Sequence, residues 1–191
     1  MAATLKRDVR EAILVAAREA AMAYGYGGIN FRDLAEAVGI KAASINYYFA
    51  NKAILGEAVA RRYWEDVARD LEAISSDAQS PMEALRRYPS IFRLSLERNN
   101  RMCLSSFMAT EYDALPDQVL KEVQTFADIN TAWLRDHLIS AKTVDPKDGE
   151  TISRAIYAAV AGAQIIARSR SDINLFDSLI GGYREAGLLP N

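Results

Sequence analysis

"GIKAASINYYFANK", residues 39–52, decides how the rest of the chain is read. Three small residues, Ala42, Ala43 and Ser44, precede Ile45 and Asn46, and three adjacent aromatics follow, Tyr47, Tyr48 and Phe49. On a helix, Ile45 and Phe49 stand at i and i+4 and share one face. Ala43, Ser44, Asn46 and Tyr47 then point away from it, so the segment has an apolar side that anchors it and a small, polar side left over. Just upstream, Asn30 stands where a helix N-cap belongs, with Asp33 three residues on in the acidic position of a capping box. Phe31, Leu34, Ala35 and Val38 follow at amphipathic helical spacing, and Gly39 stops that helix. Two short helices joined by a tight turn at Gly39-Ile40 make a helix-turn-helix.

The leftover face has the chemistry of a duplex contact. Small side chains at Ala42, Ala43 and Ser44 let the start of the helix approach base edges closely. Asn46 can pair with an adenine edge, and Lys41 with guanine O6/N7 or a phosphate. Tyr47 carries a phenol with the reach of a phosphate oxygen. Lys52 begins the next helix, where its charge and the nearby N–H groups both favour a phosphate. Asn30 and Arg32, at the start of the preceding helix, can do the same from the other flank of the groove.

Working outward, helical spacing dominates the 191 residues and no stretch alternates like a strand for long. The reading is all-α with about nine helices: a three-helix amino-terminal helix-turn-helix domain over 1–51, and a larger helical domain over 52–191. Helix 1 runs from about Leu5 to Tyr24 and ends at "GYGG". A long helix from Lys52 to about Ile74 joins the two domains without a hinge. Ser80-Pro81-Met82-Glu83 starts another helix, which Pro89 kinks, and "NNR" and "DALPD" are breaks. Residues 116–140 read as one helix. Asp145-Pro146 caps the next, to about Ala167, and Asp172 caps the last, which ends near Gly187.

Net charge is −2, with seven Lys and Arg against six Asp and Glu over residues 1–60, so a nucleic-acid contact has to be local. One cysteine, Cys103, permits no internal disulfide. The first twenty residues carry acids inside their apolar pattern and read as neither secretory signal nor transit peptide. No stretch suits a bilayer span, and a cytoplasmic protein is expected.

These residues carry a resemblance to a known family. "ILVAAREAAMAYGYGGINFRDLAEAVGI" and "ASINYYFANKAIL", within residues 9–59, resemble the DNA-binding domain of the TetR family of transcriptional regulators. The resemblance implies that residues 42–48 enter the major groove and that Asn30, Tyr47 and Lys52 hold phosphates. It also implies a homodimer and a ligand pocket in the rear domain. The family usually has Ser or Thr at Lys41 and commonly Tyr at Asn46, so here a helix cap is missing and one base contact is altered. "AAVAGAQIIARSRSD" and "LFDSLIGGYREAG" resemble the family's last two helices, which pair across a two-fold axis. Phe92, Leu96, Cys103 and Phe107 lie on helices that enclose the cavity in family members. So do Tyr112, Phe126, Trp133 and Tyr157, and each of the eight also reads as plain core. Glu111, Asn130 and Gln164 are candidate polar anchors for an apolar or aromatic effector.

A ligand-responsive repressor, released from a palindromic operator by its effector, is the expectation. An activator of the same fold, a helical protein-interaction module using Tyr47 and Tyr48 as anchors, and an enzyme that carries a helix-turn-helix stay open as alternatives. The sequence offers no catalytic set, no phosphate-binding glycine loop and no metal spacing, and no cofactor is expected. The lone His137 has no companions for a metal, and Cys103 reads as a packed apolar residue.

Overall fold

The computed structural model describes residues 2–191, with side chains from Asp8 onward. All regular structure in these residues is helical. The helices are α1 (Ala2–Tyr24), α2 (Phe31–Val38), α3 (Ala42–Tyr48), α4 (Lys52–Asp77) and α5 (Pro81–Arg87). They continue with α6 (Ser90–Glu97), α7 (Leu104–Ala109), α8 (Asp117–Ser140), α9 (Gly149–Ser169) and α10 (Ile173–Glu185). Short 3-10 turns sit at Tyr26–Gly28 and Tyr112–Ala114.

Local chemistry accounts for most boundaries. Ser80 Oγ accepts from Glu83 N–H at 3.2 Å, and Asp172 Oδ1 accepts from Asn174 and Leu175 N–H at 2.9 and 3.2 Å, so both expected caps are in place. The kink expected at Pro89 is a full break, because a proline nitrogen cannot donate to the preceding turn; it separates α5 from α6 and takes the helix count past nine. At "NNR", Asn99 and Asn100 adopt φ of 57° and 55°, the left-handed region that asparagine tolerates. The cap expected at Asp145-Pro146 is a correction. Those residues form a turn instead, in which Asp145 Oδ1 accepts from Lys147 N–H, and α9 starts four residues later at Gly149. Helix α4 runs one turn past Ile74, to Asp77.

The chain packs as two compact units, whose boundaries fall inside α4 and α8. One comprises residues up to Trp64 together with Leu104–Gln124; the other comprises Glu65–Cys103 and Thr125–Asn191. In the first, α1 packs against α2 and α7, and α2 against α3. Ile13, Ala17, Leu34, Ile45, Phe49 and Leu55 form its buried centre. A part-buried polar network also belongs to this unit, with Glu122 as its buried member. Glu122, 5% exposed, accepts from Arg61 Nη2 at 2.8 Å and from Trp64 Nε1 at 2.6 Å. Burial alone would raise this carboxyl's pKa; the hydrogen bonds from Arg61 and Trp64, with the Arg61 charge, outweigh it and hold the group below its usual range.

The second unit is organised around Tyr88, which is fully buried. Its hydroxyl donates to Asn130 Oδ1 at 3.0 Å, and Asn130 Nδ2 donates to the Phe126 carbonyl at 2.8 Å. The Tyr88 ring stacks on Trp133 with centroids 5.7 Å apart and meets Phe92 edge-on at 5.9 Å. Burial pushes the Tyr88 phenol well above its ordinary pKa, and the neighbouring Tyr157 and Cys103 push the same way. Here α9 packs against α10 and α6.

Candidate nucleic-acid interface

The interface candidate is the outward side of α2, α3 and the start of α4. Ile45 and Phe49 are 0% and 1% exposed and anchor α3, with the Arg10 guanidinium lying 4.9 Å over the Phe49 ring. Ala42, Ala43 and Asn46 are exposed, Tyr47 is 67% exposed, and Ser44 lies at the margin. The two faces read from the sequence are therefore separated in the structure. Tyr48 is half-buried and meets Tyr47 edge-on at 5.2 Å, which orients the exposed phenol.

The turn between the helices depends on Gly39. Its φ of 74° is left-handed, and nothing stands within 4 Å of the place a Cβ would take, so the requirement is backbone angle rather than space. Gly39 N–H bonds back to the Glu36 carbonyl at 3.1 Å and Ile40 N–H to Ala35 at 2.9 Å, closing α2. Lys41, at the N-cap of α3, is exposed and makes no side-chain cap bond, as its chemistry requires. The first N–H groups of α3 are left without that cap.

Asn30 has two uses. Its Oδ1 accepts from Arg32 N–H at 2.8 Å and Asp33 N–H at 3.3 Å, capping α2. Its exposed amide NH₂ remains a donor toward the outside. Arg32 is exposed beside it. Lys52 lies over the Tyr26 ring at 4.5 Å and donates to the Gly27 carbonyl at 3.4 Å. Gly27, Ile29, Asn30, Phe31 and Lys52 line a depression of about 300 Å³. A lysine, an asparagine amide and the amino end of α2 thus converge on one spot suited to a phosphate oxygen.

Three contributors here escaped the sequence reading. Asn51 Oδ1 accepts from Ile54 N–H at 2.9 Å and caps α4; its place directly before Lys52, ahead of an apolar run, is the signal. Tyr26, 8% exposed inside "GYGG", is the platform under Lys52. Glu111, expected as an effector anchor, engages the same loop. Its Oε2 accepts from Tyr26 N–H at 2.6 Å and its Oε1 from Gly27 N–H at 3.3 Å. Gly25 lies so close to this carboxylate that a Cβ would come within 2.2 Å of it, and its φ is +71°. No local sequence pattern relates residues so far apart in the chain.

Of the other effector candidates, the second unit gathers Phe92, Phe126, Asn130, Trp133 and Tyr157 around Tyr88, which the sequence reading passed over. Tyr157 lies 6.2 Å from Phe92 and 6.3 Å from Phe126 between ring centroids. Leu96 is buried on α6, and Cys103 N–H donates to Gln164 Oε1 at 3.0 Å while Gln164 Nε2 donates to the Phe92 carbonyl at 2.6 Å. Phe107 and Glu111 belong to the first unit, and Tyr112 there is 61% exposed. His137 Nε2 lies 3.1 Å from Ser75 Oγ and its Nδ1 2.9 Å from the Trp133 carbonyl. Among the described residues no cluster of His, Cys, Asp and Glu could hold a metal, and no helix is long and apolar enough to cross a membrane.

Comparison with known proteins agrees with this geometry. Residues 13–59 match the model of the bacterial regulatory proteins of the tetR family. None of the curated proteins matches the chain. Among solved structures, a TetR transcriptional regulator from Legionella pneumophila is 27% identical, with 92% of this chain and 95% of that one covered and a TM-score of 0.85. A TetR-family regulator from Agrobacterium tumefaciens has a TM-score of 0.88 at 23% identity, over 94% of this chain and 97% of that one. The reduced form of NemR from E. coli has a TM-score of 0.82 at 16% identity, over 93% and 96% of the two chains, a likeness of fold. Residues 13–59 thus carry the DNA-binding domain of the tetR family, with the outward face of α3 open, and the chain shares the fold of TetR transcriptional regulators over nearly its whole length.

Proposed function

We propose that the protein is a cytoplasmic, ligand-responsive repressor that binds a two-fold symmetric operator as a homodimer and leaves it when a small apolar or aromatic effector binds. The observation that carries this reading is the open face of α3, where Ala42, Ala43, Asn46 and Tyr47 are exposed while Ile45 and Phe49 are buried. Residues 1–51 form the DNA-binding domain in this reading, and 52–191 the effector-binding and dimerisation domain. Lys41, Ser44 and Asn46 meet base edges; Asn30, Arg32, Tyr47 and Lys52 hold the backbone on either side.

Dimerisation through α9 and α10 is supported by Ile165 and Ile166, each 45% exposed on α9, beside the small residues Ala158, Ala161 and Gly162. Such an isologous pair sets two recognition helices about 34–36 Å apart, or a small multiple of that. The aromatic group around Tyr88 supports an apolar or aromatic effector, with Asn130 and Gln164 as the polar groups that orient it. The effector favours a form in which α4 has swung, and its differential affinity for the two forms, typically about 1–3 kcal/mol in such couplings, sets the response.

Selection of bound sequences from random duplex DNA, repeated with candidate metabolites present, tests the reading. It predicts an enriched site with two-fold symmetry, steep salt dependence, and loss of binding with one class of apolar compound. Recovery of unselected sequences overturns it.

A further inference from the structure

We propose that Arg10 is a further DNA contact, whose guanidinium takes a backbone phosphate beside the carboxyl end of α3. The inference rests on the DNA-binding reading of α3 and adds to it a residue from α1. Leu14, Ala17 and Ala21 are buried and form the inward stripe of α1. Arg10 precedes them by four, seven and eleven residues, so it continues that stripe at the amino end of the helix. A hydrophobic residue there would extend the core; an exposed arginine stands in its place. Its guanidinium carbon lies 4.9 Å over the ring of Phe49, the C-cap residue of α3. Arg10 therefore leans toward the helix-turn-helix, its apolar stem along the rim of the core and its charge in solvent. The exposed Tyr47 comes two residues before Phe49, and the exposed Ala50 and Asn51 follow it.

No acid answers this charge. Among the described residues the Arg10 side chain makes no ion pair and no hydrogen bond, and residues 2–7 contain no Asp or Glu. Its neighbour Glu11 pairs with Arg62 at 3.2 Å. Other arginines of this unit are committed: Arg61 to Glu57 and Glu122, and Arg18 lies over the Tyr63 ring. The ring contact with Phe49 orients the Arg10 guanidinium and leaves its N–H donors for a phosphate, which a planar fork matches well. Position adds a second reason. The last carbonyls of a helix carry partial negative charge, which repels a phosphate brought to that end. A cation seated at the carboxyl end of α3 offsets this repulsion as the helix enters the groove. With a net charge of only +1 over residues 1–60, a contact made by Arg32, Lys41 and Lys52 gains appreciably from one more cation.

The test compares the full-length parent with Arg10→Met, Arg10→Lys and Lys52→Ala. Each is titrated against mixed-sequence duplex DNA and against the selected operator, by fluorescence anisotropy at salt concentrations from about 50 to 200 mM. Arg10→Met keeps an unbranched apolar chain over Phe49 and removes the charge. It is expected to melt close to the parent, to bind both DNAs about three- to tenfold more weakly, and to flatten the salt slope by about 0.9 for each subunit on the duplex. Arg10→Lys should restore the slope and bind within about threefold of the parent. Arg10→Met with the parent's affinity and slope, while Lys52→Ala loses both, would overturn this contact alone and leave the DNA-binding reading standing. Weaker binding at an unchanged slope, or one that Arg10→Lys does not rescue, would make Arg10 a cover for Phe49 and overturn the contact as well. If neither Arg10→Met nor Lys52→Ala alters the slope, the DNA-binding reading falls and this contact with it. Should Arg10→Met fail to fold, Arg10→Gln set against Arg10→Lys decides by the same slopes.

Discussion

Replacing Glu111 with alanine tests whether the glycine loop before α2 is held from outside. Its carboxylate accepts one short, half-buried bond from Tyr26 N–H at 2.6 Å and one longer, exposed bond from Gly27 N–H at 3.3 Å. Hydrogen bonds to a charged group contribute about 1.5–3 kcal/mol each when well made. Discounting the second for its length and exposure leaves about 2 kcal/mol for the pair. In a chain of 191 residues that corresponds to a fall in Tm of about 4–8 °C, or a lower urea midpoint at unchanged slope. DNA affinity should also fall in the folded fraction, because Lys52 is seated on the Gly27 carbonyl and the Tyr26 ring. A loss of up to about 1.4 kcal/mol, tenfold in Kd, is expected. Glu111→Gln keeps one acceptor and should fall between. A variant that melts like the parent and binds DNA equally well would refute the argument that Glu111 organises this loop.

Lys52→Ala should weaken binding to all sequences about equally and flatten the salt slope by about one counterion, whereas Asn46→Ala should relax the preference at one base pair by about 1–3 kcal/mol; gel shifts across salt and site variants separate the two. Tyr88→Phe leaves Asn130 Oδ1 without its 3.0 Å donor in a buried site, and should cost about 1–3 kcal/mol in urea unfolding. Glu122 is held below its ordinary carboxylate pKa, so its contribution to stability is full above that range and is lost as pH falls through the lowered value. Glu122→Gln should therefore be less stable at neutral pH and lose less stability on acidification, measured as Tm against pH.

The amino-terminal unit was legible because its signals are local. Asn30 caps the helix that starts one residue later, Gly39 makes its turn through its own backbone angle, and Ile45 with Phe49 fixes which face of α3 is inside. Lys41 was likewise readable as a missing cap. Where a property depends on residues far apart in the chain, periodicity carries no record of it. Glu111 was placed with an effector although it holds Tyr26 and Gly27 from 85 and 84 residues away. Tyr88 carries no local signal that sets it apart, yet it is the residue that Phe92, Asn130 and Trp133 surround. Asp145-Pro146 has the composition of a helix start, but the Asp145 carboxylate is used by Lys147 N–H in a turn, and α9 begins beyond it.

The most direct test of the central claim is dimethyl sulfate protection on the selected operator, since this reagent marks guanine N7 in the major groove and adenine N3 in the minor. If the open face of α3 enters the major groove, guanine N7 should be protected in two patches on one side of the duplex, about one helical turn or a small multiple apart. Asn46→Ala should alter that pattern, and Lys52→Ala should only weaken it. Protection confined to adenine N3, or none at a site the protein demonstrably occupies, would contradict the account.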